Sequence, residues 1–328
     1  MQRNSIAIYS CGELIGDATW KLPVLRAARS LFPEHHICWL TSSDTVFATR
    51  LRPLVEGLLD EVTVCHDLAR GGWDLIRPLP LPQGFEILID TQSNLLRSLV
   101  VRRIPHRLYL STTARFLLSD RRPPWPYRKP AHQVHRLLLL LELAAGRTAA
   151  IDRVRLPVPQ DFASKAARLL PPGRRYLGLA PGAGSRNKCW PLERFIEVAA
   201  WHRGQGGVPV FILGPNELEW LPRIKAALPE ALFPEQESAV WGEGFSPIRT
   251  IALAERLTAA VANDAGVGHM LAAADIPLLT LFGPTNAEKF RPLISRGEVL
   301  AAESYGGQDP ALIPTAAVIE RVAALLDS

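Results

Sequence analysis

Two glycine-rich turns in the second half of the chain contain the residue types that bind phosphate. One is Pro181-Gly182-Ala183-Gly184-Ser185, and the other is Asn263-Asp264-Ala265-Gly266-Val267-Gly268-His269; each follows an apolar segment. A glycine turn that leads into a helix presents unpaired backbone N–H groups and a partial positive charge. Either turn can therefore bind a phosphate, but a purely structural strand-to-helix connection has the same composition.

Lys188 lies between the first turn and a helical segment that begins near Pro191. A lysine ammonium beside free helix N–H groups is a suitable partner for phosphate. An isolated loop lysine is more often simply solvated. The glycine turn before Lys188 and the Trp190-Pro191 pair after it favour the functional interpretation.

Asp17 is a candidate for acid–base chemistry near the N-terminus. It follows a short β-rich segment at residues 5–9 and a loop at residues 11–17, and it precedes a helix predicted at residues 20–31. Doubly wound α/β folds place functional side chains just past strand ends. Aspartate is also a favoured helix N-cap, and residue type and position alone favour the cap.

The alternation of apolar segments predicts two α/β domains. A chain of 328 residues is too long for one ordinary domain, and 48% hydrophobic residues can fill two cores. We expect an N-terminal domain at residues 1–160, a C-terminal domain at 161–314 and a final helix at 315–328. The predicted strands are residues 5–9, 36–40, 62–64, 85–89, 176–180, 208–213, 259–262 and 278–282, and the main predicted helices are residues 20–31, 95–101, 134–145, 161–170, 192–202, 218–228, 248–257, 270–274 and 315–326.

Positive charge is concentrated in residues 97–136. This segment contains ten Lys or Arg residues and one acid, Asp120, whereas the whole chain has a formal net charge of +5. Such a segment suits an anionic partner, namely a phosphorylated lipid, a membrane surface or a nucleic acid. A solvated arginine-rich surface is the alternative. Nucleic acid is the least favoured partner, because no recognised nucleic-acid motif accompanies the arginines.

The four cysteines lie far apart and form no CxxC pair. Neither a zinc site nor a disulfide framework is therefore predicted, and the thiols suit a reducing compartment. No basic-then-apolar signal segment begins the sequence, and the longest apolar run, residues 137–145, is too short to span a bilayer. We expect a cytoplasmic protein without a membrane span.

Five motifs, taken together, resemble glycosyltransferase family 9, the ADP-heptose:lipopolysaccharide heptosyltransferases. The resemblance covers most of the chain, and the motifs follow the order and spacing of the family. They are Gly16-Asp17 with Pro23-Val24-Leu25-Arg26-Ala27; Asp90-Thr91-Gln92 with Arg97-Ser98; Pro181-Gly182-Ala183 with Lys188-Cys189-Trp190-Pro191-Leu192-Glu193-Arg194-Phe195; Gly214-Pro215-Asn216-Glu217; and Asn263-Asp264-Ala265-Gly266 with His269, closed by Leu281-Phe282-Gly283-Pro284-Thr285.

This resemblance implies a GT-B fold, in which two Rossmann-like domains face a cleft and the last helix packs back on the first domain. The first domain would bind a lipid-linked acceptor, and the second would bind the nucleotide-sugar. Transfer would invert the anomeric carbon, and Asp17 would be the catalytic base instead of a cap. Lys188 and the turn N–H groups would stabilise the departing diphosphate.

The resemblance also implies the remaining site residues. Ser185 would donate a hydroxyl hydrogen bond, Glu217 would accept from ribose hydroxyls, and Asp264 would accept from sugar hydroxyls or backbone N–H groups. Gly266, Gly268 and His269 would form the diphosphate turn, although a structural role for His269 is equally open. The basic segment would bind the anionic acceptor at the cytoplasmic face of the inner membrane, through Arg97, Arg121 and Arg122. No cofactor is implied, and because no DxD-like carboxylate cluster is present we expect no essential metal.

The chain departs from the family at three places, with Ala265 in place of Thr or Ser, Ser93 in place of Gly, and Lys21-Leu22 before Pro23 in place of the usual Thr. Two other functions stay open at this point. One is a GT-B sugar-nucleotide epimerase, which needs no acceptor. The other is a non-catalytic protein that binds a sugar nucleotide.

Overall fold

The computed structural model describes residues 4–81, 84–149 and 155–327. The chain divides into two compact units, Met1–Asp152 and Arg153–Ser328. This division falls before residue 160, the predicted end of the first domain, because Leu156 already donates to the Ala273 carbonyl of the second unit at 2.8 Å.

The first unit is a five-stranded parallel sheet with helices on its faces. Its strand order, β3-β2-β1-β4-β5, is that of one Rossmann half followed by the start of the other. Buried apolar residues fill nearly every position of β1, β2 and β4, as expected for strands covered on both faces. The strands are β1 (Ser5–Ser10), β2 (His36–Thr41), β3 (Glu61–Val64), β4 (Phe85–Asp90) and β5 (His106–Ser111), and the helices are α1 (Ile15–Leu31), α2 (Arg52–Val55), α3 (Leu95–Val101) and α4 (Gln133–Ala145).

The second unit repeats this plan with the strand order β10-β9-β8-β6-β7. Leu232 adds an isolated parallel bridge to Val210 beyond β7, so the full order is that of a six-stranded Rossmann sheet with one strand reduced to a bridge. Its strands are β6 (Tyr176–Ala180), β7 (Val208–Phe211), β8 (Ala259–Asn263), β9 (Leu278–Phe282) and β10 (Gly297–Ala301), and its helices are α5 (Gln160–Leu169), α6 (Leu192–Gly204), α7 (Leu221–Ala227), α8 (Ser238–Trp241), α9 (Pro247–Ala254), α10 (Gly266–Ala272), α11 (Ala287–Phe290) and α12 (Thr315–Leu326).

These two parallel-sheet units confirm the predicted α/β fold class. Two strands that were not predicted, β5 and β10, each lie at an edge of their sheet. Edge strands are covered less completely, so charged and polar residues such as His106, Arg107 and Glu298 interrupt their apolar pattern.

Two helices differ from their predicted bounds near the candidate site residues. Helix α1 begins at Ile15 instead of near Trp20, so Asp17 lies inside it. Pro23 also lies inside α1, where it removes one backbone hydrogen bond without ending the helix. Helix α10 begins at Gly266, so the predicted polar turn is already helical from that residue onwards.

The C-terminal helix α12 packs within its own unit. Its buried residues Val318, Val322 and Leu325 belong to the core formed with β6, β8 and α6. This packing anchors α12 on the second sheet, and the contact of residues 315–328 with the first domain stays a prediction.

Candidate functional site

Each sheet has one point where the strand order reverses, and the predicted site residues lie there. In the second unit, β7 lies on one side of β6 and β8 lies on the other, so the loops after β6 and β8 separate at the carboxyl edge. Doubly wound sheets bind ligands in the crevice at such a switch point. Lys188 follows β6, and Asp264 follows β8, so these two residues flank the crevice.

Asn263 joins the two loops of this crevice. Its side chain is fully buried, its Oδ1 accepts from the Trp190 N–H at 3.0 Å, and its Nδ2 donates to the Pro181 carbonyl at 2.8 Å. The Trp190 indole is also buried and donates to the Ile313 carbonyl at 2.9 Å. The backbone on both sides of the crevice is therefore fixed by one amide side chain.

Asn263→Ala should lower the free energy of unfolding by about 2–4 kcal/mol, because it leaves a buried N–H and a buried carbonyl without partners. Urea unfolding of the purified protein measures this change. Asn286→Ala is the matched control, since Asn286 caps only the short helix α11 and its loss should cost about 1 kcal/mol. Equal effects of the two substitutions would contradict the bridging role of Asn263.

Lys188 and Asp264 form an ion pair across the crevice. The Lys188 Nζ lies 3.5 Å from the Asp264 Oδ2, and the Thr285 hydroxyl, which follows β9, donates to the same oxygen at 2.5 Å. The Asp264 side chain is 10% exposed, and that of Lys188 is 31% exposed. Asp264 thus binds the Lys188 and Thr285 side chains and holds an accessible ammonium at the sheet edge, and its hydrogen bonds from sugar hydroxyls or backbone N–H groups stay a prediction.

Glu217 lies beside the first glycine turn. It is mostly buried, and a Cβ at Gly182 would come within 2.5 Å of the Glu217 carboxyl carbon, so only glycine permits this close approach. Burial raises the pKa of Glu217, while a hydrogen bond from the Gly214 backbone and the charge of Arg186 oppose the rise. The carboxylate is therefore poorly solvated and ready to accept hydrogen bonds.

The other predicted donor residues lie close to Lys188 or to Asp264 along the chain. Ser185 is exposed and precedes the short 3-10 turn Arg186–Lys188. Gly266 and Gly268 lie in the first turn of α10, and the N–H groups of Gly268 and His269 donate to the Ala265 carbonyl. Those two N–H groups are consequently engaged within the helix. Ala265 is the N-cap of α10 and offers no side-chain acceptor, so a Thr or Ser there would cap the helix.

The switch point of the first sheet lies between β1 and β4. Asp17 is exposed in the first turn of α1, and the Trp20 indole N–H lies 3.4 Å from its Oδ1. The N-cap position belongs to Leu14, so the capping interpretation of Asp17 is wrong. Across this switch point the Cys11 thiol donates to the Gln92 side-chain oxygen at 3.2 Å, which joins the loops after β1 and β4.

Asp90, at the end of β4, is a structural centre of the first unit. It is fully buried and accepts from the hydroxyls of Ser98, Tyr109 and Ser111 and from the Gln92 N–H. Burial raises its pKa, and these hydrogen bonds oppose the rise. The network fixes α3 and the loop after β5 at the same edge as Asp17.

The three predicted acceptor arginines have different environments. Arg97 is half-buried in α3, and none of the described residues accepts a hydrogen bond from its guanidinium. Arg121 donates to the Leu143 and Ala144 carbonyls at 2.9 and 3.0 Å, so it stabilises the C-terminal end of α4. Arg122 donates to the Leu117 carbonyl at 3.4 Å and is otherwise exposed.

Sequence reasoning gave no role to Asn263, Thr285 or the buried pair Glu13 and Lys21. Asn263 and Thr285 belong to motifs that resemble the family, and this position in a motif could have identified them as candidate site residues. Over residues 4–81, 84–149 and 155–327, no group of three His, Cys, Asp or Glu side chains is close enough to hold a metal ion.

The fold and these two sheet edges define a protein built from two nucleotide-binding-type α/β units. The model of glycosyltransferase family 9 (heptosyltransferase) matches residues 80–309. The chain belongs to this family, as its motifs predicted.

Individual relatives have the same architecture. Lipopolysaccharide heptosyltransferase 1 of Pseudomonas aeruginosa is 26% identical over 83% of this chain and 77% of its own length. A family 9 glycosyltransferase from Veillonella parvula has a TM-score of 0.74 at 20% identity, covering 99% of this chain and 98% of its own. E. coli heptosyltransferase WaaC with ADP has a TM-score of 0.68 at 17% identity, covering 98% and 99%. These structural matches confirm the GT-B type of fold.

Proposed function

We propose that this heptosyltransferase-family protein transfers heptose, or a related sugar, from ADP-heptose to a lipopolysaccharide-core or other lipid-linked saccharide. The observation that carries the proposal is the accessible Lys188 ammonium, which pairs with Asp264 at the switch point of the second sheet while the Thr285 hydroxyl donates to the same carboxylate. Relatives named as lipopolysaccharide heptosyltransferases, and the E. coli structures with ADP and with ADP-2-deoxy-2-fluoro heptose, support this donor and acceptor.

On the donor side, charge compensation is the main requirement. A nucleoside diphosphate leaves with developing negative charge, and a preorganised cation stabilises that charge without rearranging. Lys188 supplies the cation, while Ser185, Gly266 and Gly268 line the same edge. His269 lies half-buried on α10 at the same edge of the sheet. We therefore assign the compensation of this charge to Lys188.

On the acceptor side, Asp17 is the proposed base. Inversion in one displacement requires a hydroxyl to attack opposite the leaving group while a base removes its proton. The Asp17 carboxylate is exposed, has no role as a helix cap and lies at the sheet edge where Arg97 can hold an anionic acceptor. These properties suit a group that exchanges protons with a bound substrate.

The affinity for ADP should depend on the protonation of Glu217. Burial raises its pKa, so the carboxylate takes up a proton, and loses acceptor capacity, at a pH above the usual range for glutamate. ADP binding should therefore weaken as the pH falls from about 8 towards about 5. Isothermal calorimetry of Glu217→Gln should show about tenfold weaker binding at pH 8 and a smaller change with pH. An identical pH profile in both proteins would contradict the role of Glu217.

The loops after β1 and β5 of the first unit carry exposed apolar side chains, Leu14, Leu117 and Trp125, and the basic side chains of Arg128 and Lys129. The exposed fractions are 79% for Leu14, 65% for Leu117 and 92% for Trp125, and both basic side chains are exposed. Exposed tryptophan and leucine beside cations suit the interface of an anionic membrane. Among the described residues, no helix is long and apolar enough to cross a membrane. We therefore propose peripheral contact at the cytoplasmic face of the inner membrane.

Binding to vesicles that contain anionic phospholipid should fall steeply between about 0.1 M and about 1 M salt, because the Debye length shortens from about 10 Å to about 3 Å. The double substitution R128Q/K129Q should weaken binding by about tenfold or more. The double substitution K165Q/K225Q, on α5 and α7 of the second unit, is the matched charge control. Sedimentation that is insensitive to salt would overturn the electrostatic contribution.

A screen of ADP-, GDP- and UDP-sugars by thermal shift tests the donor assignment. A ligand that binds only the folded state raises the apparent melting temperature according to its occupancy. ADP-heptose should give the largest shift. A larger rise in melting temperature with a GDP- or UDP-sugar would identify that sugar nucleotide as the donor in place of ADP-heptose.

A further inference from the structure

Glu13 and Lys21, which flank Asp17 in the sequence, form a buried ion pair. The Lys21 Nζ lies 2.9 Å from the Glu13 Oε1, and the side chains of Lys21 and Glu13 are 9% and 0% exposed. Glu13 precedes α1, while Lys21 lies one turn after Asp17 within it. The lysine side chain therefore extends back past the turn of Asp17 to reach its partner.

Both members of this pair have further contacts that hold them in place. Glu13 accepts from the Trp39 indole N–H at 3.2 Å and from the Thr45 hydroxyl at 2.6 Å. Lys21 also donates to the Ser10 hydroxyl at 3.3 Å and lies over the ring of Trp39. Burial opposes ionisation of Glu13, but the charge of Lys21 and these hydrogen bonds hold the pKa of Glu13 below its usual range.

Asp17 and Lys21 have the spacing at which carboxylates and lysines pair on a helix surface. Residues i and i+4 are neighbours, and the order Asp before Lys is the favourable one. Asp17 nevertheless has no cation within 4.0 Å in the described part of the chain, and its only recorded side-chain contact is the Trp20 indole. The natural partner of Asp17 is instead bound to Glu13.

We propose that Glu13 is a positioning residue that keeps the Lys21 ammonium away from Asp17, so that Asp17 stays a free carboxylate able to accept a proton. This inference rests on the proposed role of Asp17 as the base. A lysine released from Glu13 would pair with Asp17, favour its ionised form and weaken it as a base.

Other titratable groups near α1 do not take the place of the Glu13–Lys21 ion pair. Within the described part of the chain, none of them contacts Glu13, Asp17 or Lys21. Arg136 donates to the Pro130 and Ala131 carbonyls, and Glu142 accepts from the Ala149 N–H. The groups on neighbouring elements are Asp44 and His66, which pair with each other, Arg52 on α2, Asp90 at the end of β4, Arg97 on α3, and His135, Arg136 and Glu142 on α4, with Arg26 and Arg29 on α1 itself.

The test is the pH profile of kcat/KM with ADP-heptose and a heptose-free lipopolysaccharide core, for the full chain. In Glu13→Gln, the uncompensated Lys21 should move the acid limb to lower pH by about half a unit and lower kcat several-fold. In Lys21→Met, Glu13 loses the charge that opposes its desolvation and takes up a proton, so the limb should stay at the wild-type position. The double variant E13Q/K21M has no buried charge and should keep the limb there as well.

A purely structural pair would lower activity in Glu13→Gln without moving the limb, and that result would overturn the inference. If Glu13→Gln does not fold, Glu13→Asp, which keeps the charge but shortens the side chain that holds Lys21, tests the direction of the shift in its place. Asp17→Asn separates the two proposals. Full activity in Asp17→Asn would reject the base itself, whereas an inactive Asp17→Asn with an unshifted limb in Glu13→Gln would reject only the role of Glu13.

Discussion

Asp17→Asn should lower kcat by about 10²- to 10⁴-fold, the usual contribution of a general base. The amide keeps the shape of the side chain but cannot take the proton of an attacking hydroxyl. Asp17 is exposed, and among the described residues its side chain contacts the Trp20 indole alone, so the melting temperature should change little. Release of ADP from ADP-heptose, in the presence of a core acceptor, measures the effect.

Glu34→Gln is the matched control for Asp17→Asn. Glu34 is an exposed carboxylate just after the C-terminal end of α1, so its loss changes the charge of the unit equally without touching the sheet edge. Its kcat should stay at the wild-type value. Asp17→Asn activity equal to that of the control would remove Asp17 from the mechanism.

Lys188→Met should lower kcat/KM by about 10²- to 10³-fold, the loss typical when one preorganised group that stabilises a developing anion is removed. The substitution also leaves Asp264 without its cation, so a carboxylate stabilised only by Thr285 would face the diphosphate. Both changes reduce the stabilisation of the transition state more than that of the bound substrate. Steady-state kinetics with varied ADP-heptose separates the effect on kcat from the effect on KM.

Lys188→Arg keeps the positive charge and should retain more activity than Lys188→Met. Lys165→Met is the control for loss of a surface lysine, since Lys165 lies on α5 away from the strand ends. If Lys188→Met has the same kcat/KM as Lys165→Met, charge compensation at the leaving group does not depend on Lys188.

The sequence was sufficient for the fold class and for the central strands, because parallel strands buried on both faces are continuous apolar segments. The edge strands β5 and β10 were missed, since their exposed positions carry charged residues. The start of α1 was also missed. Gly12 and Gly16 favoured a loop, whereas Glu13 forms a bridge with Thr45 and fixes the chain just before Ile15.

Motifs located the site residues, but not their contacts. Lys188 and Asp264 lie close together because β6 and β8 end at the same switch point. The order of the motifs allowed us to expect this proximity. The Thr285 hydroxyl on Asp264 depends on a third loop, whose position only the folded sheet fixes. Arg121 has a contact that the charge of its segment did not predict, because it donates to the carbonyls of Leu143 and Ala144, and its role in acceptor binding stays a prediction.

Buried polar pairs are the hardest feature to predict from sequence. Lys21 resembles an ordinary helix-surface lysine, but it pairs with Glu13 from the loop before α1 and lies over the ring of Trp39 from β2, while Thr45 from the segment after β2 holds Glu13. Lys21 and Trp39 are 18 positions apart in the sequence, so no local pattern predicts the contact.

The most direct test of sugar transfer is ADP release by the purified full chain from ADP-heptose, measured with and without a heptose-free lipopolysaccharide core. We predict that ADP appears only with the acceptor, that the acceptor gains one heptose with inverted anomeric configuration, and that Asp17→Asn nearly abolishes both. Release of nucleotide without acceptor would indicate an epimerase or hydrolase. Tight binding of ADP-heptose without turnover would indicate a non-catalytic protein, and either result would contradict the proposed function.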